Sequence, residues 1–168
     1  GEFHILIRYN HAIDIIHKVK NISKENISSI TSGLMPFGLS TSYRGRNQKS
    51  LKDSITLYSS NSITYISENE IKKGTDYINK YEVMVSKTGA EHAGEPGKDG
   101  KFRVIPSSMK VICPREVCTH FYFLVGKFDN AHTAENVYKY MKTKFVRFLI
   151  LISMSGYVLS KNTMNFVP

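Results

Sequence analysis

Residues 133–152 read TAENVYKYMKTKFVRFLILI, and this stretch decides the fold. Its apolar side chains recur at helical spacing and share one face: Val137, Tyr140, Met141, Phe145, Phe148, Leu149 and Ile152. Lys139, Lys142 and Arg147 fall largely on the opposite face. The spacing predicts one amphipathic helix of about twenty residues, which needs other elements to cover its apolar face.

Two shorter helices are predicted near the N-terminus. The first has apolar residues at helical spacing: Ala12, Ile15, Ile16 and Val19. It is expected over about 10–20, with Asn10 as a plausible N-cap. A second, shorter helix is expected over 23–32, ending at Gly33.

Strand signals occupy the middle of the chain. Residues 55–58 and 63–66 are rich in β-formers and flank a serine-rich turn, which predicts a hairpin. Residues 70–80 are compatible with a helix, and a glycine-rich loop is expected over 89–101. Further strand signals follow at 81–85, 102–105, 111–112 and 120–125.

These elements predict an α+β fold. We expect a curved mixed or antiparallel sheet with two short N-terminal helices and one long C-terminal helix. The length suits a single domain over residues 4–168, and residues 1–3 are interpreted as a cloning remnant.

The charge of the chain favours an anionic partner. It carries 23 lysines and arginines against 14 aspartates and glutamates, a formal net charge of +9. Such an excess is typical of proteins that meet nucleic acid or an acidic membrane surface, and a basic protein-interaction module is the plainer alternative. The longest apolar run, 148–158, is too short to span a bilayer, and no signal peptide opens the chain. We therefore expect a soluble, cytoplasmic protein with no membrane partner.

The sequence offers little chemistry of its own. It has no glycine-rich turn to bind a methyl donor and no Asn/Asp-Pro-Pro-aromatic loop to hold a flipped base. Residues 89–94 nearly match a phosphate-binding loop, but Glu95 occupies the position where that loop needs a lysine. Cys113 and Cys118 lack the second pair that a zinc site needs. Cys118 with His120 lacks an orienting third group. We therefore expect no catalytic residue, no metal and no cofactor in this chain.

One alternative is a small Mg²⁺-dependent nuclease. Asp53, Glu70 and Lys72 follow the loose Asp…Glu-x-Lys order of such enzymes, in which carboxylates hold the metal. The same order is common by chance in basic domains, and a solvated charged face is the competing interpretation.

Three basic segments carry the binding chemistry. The first, 40–49, contains a set of side chains suited to reading DNA: Tyr43, Arg44, Arg46, Asn47, Gln48 and Lys49. Its arginines can fork onto guanine edges and its amides onto adenine, while the tyrosine can stack.

The second and third segments offer lysines for phosphates. In the second, Lys87 ends a predicted strand, and Lys98 and Lys101 belong to the glycine-rich loop. In the third, 155–162, Lys161 follows the predicted long helix. Lysines in such positions can hold phosphates. A solvated surface loop is the competing interpretation for the first segment, and a disordered tip is the competing interpretation for the second.

Residues 140–149, YMKTKFVRFL, and the terminal residues 166–168, FVP, carry a family resemblance. They resemble the C-terminal region of bacterial type II restriction–modification adenine-specific DNA methyltransferases. In that family the pattern is close to Tyr-hydrophobic-Lys-Thr-Lys-Phe-Phe-Arg-Phe-Leu, with a terminal Phe-Val-Pro. Residues 36–39, PFGL, resemble the segment before the family's reading loop, and the likeness runs from about residue 10 to 168. One departure is that Ser153 and Met154 are neutral where the family would have an arginine and a lysine.

The resemblance implies a target recognition domain that docks a methyltransferase onto one DNA sequence. An upstream part of the parent chain would bind S-adenosylmethionine, methylate adenine N6 and sometimes also cleave DNA as an endonuclease. The expected partners are double-stranded DNA and the methyltransferase domain of the parent chain, in a bacterial cytoplasm.

Overall fold

The computed structural model describes residues 10, 12–49, 53–88, 98–101, 103–154 and 156–168. Helix α1 spans Ala12–Ile22, α2 spans Ala131–Met141 and α3 spans Lys144–Ser153. The strands within the described ranges are β1 Ser54–Tyr58, β2 Ile63–Ser67, β3 Tyr81–Ser86, β4 Lys110–Ile112, β5 Glu116–Cys118 and β6 Tyr122–Phe128. The α+β class predicted from the sequence is confirmed.

The strands form two three-stranded sheets. In the first, ordered β2–β1–β5, β1 is antiparallel to β2 and parallel to β5. The second, ordered β4–β3–β6, is antiparallel throughout. The predicted hairpin is present as β1 and β2, and the Ser59 N–H closes its turn on Ser62 O at 3.0 Å. Residues 103–105 form no strand, whereas β5 was not anticipated because three residues are too few to show a period of two.

The second sheet separates two hydrophobic cores, since both of its faces are covered. Side chains alternate along a strand. Val83 and Phe123 therefore join a core built with α1, α2, α3 and the C-terminal residues. Met84 and Leu124 join a core shared with the first sheet. Glu82, two residues before Met84, is fully buried, and neither of its carboxyl oxygens has a hydrogen-bond partner among the described residues.

The predicted long C-terminal helix is divided at Thr143. This residue is extended, with φ −65° and ψ 153°, and its Oγ1 accepts the Val146 N–H at 3.3 Å as the N-cap of α3. Threonine hydroxyls compete with the helical backbone for hydrogen bonds, so the helix stops and restarts here. The break changes which side chains face the core. Val146 and Ile150 are fully buried, whereas Phe145, predicted on the apolar face, is 44% exposed.

The other helical predictions are met in part. Helix α1 lies where expected. The second N-terminal helix is a single 3₁₀ turn, Ile27–Ile30. Isoleucine and serine are weak helix formers, and the Ile27 N–H is bonded to Val167 O at 2.8 Å. The helix over 70–80 is replaced by 3₁₀ turns at Glu68–Glu70 and Thr75–Tyr77. Within the described ranges, no helix has the length and apolar character needed to cross a membrane.

Candidate nucleic-acid interface

The first basic segment, 40–49, is anchored to the open edge of β2. The Arg46 N–H donates to Tyr65 O at 2.8 Å, and the Tyr65 N–H donates to Arg46 O at 2.9 Å. Gly45 approaches the strand so closely that a Cβ there would lie 2.4 Å from Tyr65 O. Only glycine permits this approach, so the segment has a defined position on the sheet.

Two of the predicted base-reading side chains are bonded to Glu70. The Tyr43 hydroxyl donates to Glu70 Oε1 at 2.8 Å, and Arg46 Nη1 donates to Oε2 at 3.2 Å. The Ser67 N–H, 2.9 Å from the same carboxylate, is the largest cause lowering the pKa of Glu70, and Tyr43 and Arg46 lower that pKa further. Glu70 is therefore ionised and orients both side chains, while the Arg46 side chain stays 51% exposed.

The rest of the segment is exposed. Arg44 Nη1 folds back to donate to Thr41 O and Tyr43 O, both at 2.8 Å. The other predicted side chains are Asn47, Gln48 and Lys49, all exposed. None of these three side chains has a partner within the part of the chain that the structure describes, so they are available to a ligand.

The nuclease alternative gains no geometric support. Glu70 is directed at the first segment, and Lys72 Nζ donates to Asn69 O at 3.0 Å. Asp53 is exposed just before β1. Among the residues that the structure describes, no three His, Cys, Asp or Glu side chains are grouped so as to hold a metal ion.

The second and third basic segments meet at Lys87. Thr88 forms a β-bridge with Val158, and the Leu159 N–H donates to Lys87 O at 2.7 Å. Two residues further on, Lys161 is exposed at the start of a 3₁₀ turn. The end of β3 and the chain after α3 therefore form one continuous edge that carries both lysines.

His120 connects this edge to the first segment. Its backbone N–H donates to Leu39 O at 2.8 Å, immediately before Ser40, and its Nε2 lies 2.7 Å from Lys87 Nζ. An ammonium group only donates, so Nε2 accepts and Nδ1 carries the proton. Burial lowers the pKa of Lys87, and burial together with the neighbouring ammonium lowers the pKa of His120. We refer to Leu39, Lys87, His120 and Leu159 as the Lys87 junction.

Two residues at this edge were not among the predicted site residues. His120 lies 33 positions from Lys87, and their contact depends on the pairing of β3 with β6, which no local pattern reveals. Tyr157 lies within the third segment and is 54% exposed, next to Val158 at 62%. An aromatic residue that follows a glycine and precedes Lys161 by four positions is the signal that would have indicated it, because such rings stack on bases.

Lys98 and Lys101 are not connected to the Lys87 junction by any described contact. Lys98 is exposed, and Lys101 lines a groove with Lys144 and Arg147 of α3. Residues 89–97, which make up most of the predicted glycine-rich loop, lie outside the described residues.

Comparisons with protein-family models, with curated proteins and with solved structures give no significant match to this chain.

Proposed function

We propose that this chain is a target recognition domain that reads a short sequence of duplex DNA for a bacterial restriction–modification adenine methyltransferase. The observation that carries the proposal is the Lys87 junction. There the second and third segments are hydrogen-bonded to each other at 2.7 Å, and His120 joins Lys87, at 2.7 Å, to Leu39, the residue before the first segment, at 2.8 Å. The formal net charge of +9 supports a polyanionic partner.

In this proposal the lysines position the duplex and the first segment reads it. Lys87 and Lys161 hold phosphates, because phosphate contacts fix register without carrying sequence information. Arg44 and Arg46, with the neighbouring amides, reach base edges in the major groove. Glu70 holds Arg46 in one orientation before DNA arrives, and such preorganisation reduces the entropy lost on binding.

Methyl transfer belongs to another part of the parent chain, where S-adenosylmethionine would bind. In this chain Ser153 and Met154, the positions of the family's arginine and lysine, are 4% and 1% exposed. Ser153 Oγ donates to Ile150 O and Thr163 O, both at 2.8 Å. These two positions therefore serve packing, and a DNA contact at them is not part of the proposal.

The phosphate contacts are tested by comparing Lys87→Ala with Lys139→Ala. Lys139 is an exposed lysine of α2 that lies outside the three segments. Fluorescence anisotropy over a range of salt concentrations should show that Lys87→Ala weakens binding and reduces the slope of log K against log[salt] by about 0.9. Lys139→Ala should leave the slope unchanged. Equal losses in both variants would mean a diffuse basic surface without a defined interface.

Base reading is tested by Arg44→Ala. This variant should lose about 1–3 kcal/mol of affinity for the preferred sequence and discriminate less against altered sequences. Circular dichroism checks that the fold is intact. An equal loss on every sequence would assign Arg44 to a phosphate.

A further inference from the structure

A second cationic feature lies on α3, at a groove with a volume of about 760 Å³. The helix contributes Lys144, Arg147, Phe148 and Leu151 to its lining. The chain between β3 and β4 contributes Lys101 and Val104. Pockets that hold small organic ligands typically have volumes of about 300–1,000 Å³. The groove is therefore large enough for such a ligand.

The groove combines an apolar wall with a cationic rim. Val104 and Leu151 are buried and Phe148 is half-buried, whereas Lys101 and Lys144 are exposed. None of its described lining residues is acidic. Asp99, on the same segment as Lys101, is already paired with Arg103 at 2.8 Å. Among the described residues that line the groove, the positive charge is therefore left uncompensated.

Arg147 carries the strongest indication that the groove suits an anion. Its Nε is buried and has no hydrogen-bond acceptor among the described residues. A buried donor without an acceptor is destabilising, and a guanidinium presents a planar fork of N–H groups that matches an oxyanion. Because this atom has almost no accessible surface, the Arg147 side chain has to turn toward the groove that it lines before an anionic oxygen there can accept from Nε.

We propose that this groove binds a small organic phosphate with a flat apolar body, of the size of a nucleoside monophosphate. Three cations with no carboxylate among the described lining residues favour a phosphomonoester, which carries close to two negative charges, over a carboxylate with one. The half-buried ring of Phe148 offers the apolar body a surface to stack on. A free nucleotide and the 5′-phosphorylated end of a DNA strand present this same chemistry. The site does not depend on duplex reading at the Lys87 junction.

The test is an NMR titration of the 168-residue chain with adenosine 5′-monophosphate. Backbone amides of the groove residues should shift and saturate, and adenosine or inorganic phosphate alone should bind at least about tenfold more weakly, because each lacks one half of the interaction. Two duplexes of one sequence, with 5′-phosphate or 5′-hydroxyl ends, identify the source. Groove shifts that require the phosphorylated end assign the site to DNA termini, and shifts with the mononucleotide alone assign it to a free nucleotide.

Variants distinguish binding in the groove from attraction to positive charge elsewhere on the surface. Lys144→Ala removes an exposed cation and Phe148→Leu removes the ring while keeping an apolar side chain, and each should weaken binding by about tenfold. The control, Lys139→Ala, should bind as the parent chain does. Arg147→Gln should abolish binding, and if it fails to fold, Lys144→Ala carries the test. Absence of saturable shifts at millimolar nucleotide, or equal binding by Lys144→Ala and Lys139→Ala, would overturn the proposal. Tight binding of inorganic phosphate alone would overturn the aromatic part of it.

Discussion

Replacing Glu82 by glutamine should change how the stability of the protein depends on pH. Glu82 is fully buried on β3 without a hydrogen-bond partner for its carboxyl group among the described residues. Burial, with smaller contributions from Asp76 and Glu116, raises the pKa of Glu82 from 4.5 to about 9. At neutral pH the folded protein therefore holds this proton, whereas the unfolded chain releases it.

The sign and size of the effect follow from this difference in proton binding. Because the pKa of Glu82 is higher in the folded state, proton binding by Glu82 favours the folded state. This contribution to stability is complete below pH 4.5 and is lost as the pH rises to about 9. Each pH unit in that window corresponds to about 1.4 kcal/mol, so protonating Glu82 at pH 7 costs the folded state about 3 kcal/mol. Glu82→Gln is neutral at every pH, so its free energy of unfolding should rise relative to that of the parent chain by about 1.4 kcal/mol per pH unit between about pH 5 and 8. The buried amide N–H groups add a pH-independent penalty of about 1–3 kcal/mol, so the slope is the diagnostic quantity.

Urea unfolding followed by circular dichroism across this pH range measures the slope. Glu135→Gln is the matched control, because Glu135 is exposed on α2. Its stability curve should run parallel to that of the parent chain, while the curve of Glu82→Gln diverges upward with pH. Parallel curves for all three proteins would refute the reasoning, because Glu82 would then have to be ionised in the folded state.

Three other outcomes are expected. DNA affinity should rise as the pH falls from about 7.5 to 5.5, because phosphates at the Lys87 junction favour the imidazolium of His120, whose pKa is held low in the free protein. His120→Gln should flatten this dependence in anisotropy titrations, and an unchanged pH response would contradict the placement of DNA there. A thiol reagent should modify the exposed Cys113 in the folded protein and spare Cys118, which is fully buried and whose thiol pKa is raised by burial. Equal labelling rates, measured by mass spectrometry, would contradict the packing of the core between the sheets. Thr143→Ala should lower the free energy of unfolding by about 1 kcal/mol through loss of the α3 N-cap. Unchanged stability in urea titrations would show that the Thr143 side chain does not stabilise the start of α3.

The sequence predicted the elements whose signals are local. The β1–β2 hairpin was predictable because two β-rich runs flank a serine-rich turn, and α1 because its apolar residues repeat at helical spacing. The division of the C-terminal helix was not predictable from periodicity, since one threonine side chain shifts the helical phase without interrupting the apolar pattern. Likewise, β5 is defined only by its parallel pairing with β1.

The candidate interface shows the same limit. The cations of this interface could be predicted from composition and position, but the side chains that they contact could not. Arg46 and Glu70 are 24 positions apart, and Lys87 and His120 are 33 positions apart. These contacts arise from strand register and from the β2 edge that receives the first segment, and neither is encoded in a short stretch of sequence.

The most direct test of the central claim is selection of bound duplexes from a randomised pool by the 168-residue chain. It is done at two salt concentrations without Mg²⁺, followed by sequencing. We predict enrichment of one short motif at both concentrations, with an overall affinity that falls steeply as salt rises because phosphate contacts are released. Binding without enrichment of any motif, or no binding at low salt, would contradict the claim that this chain reads DNA sequence.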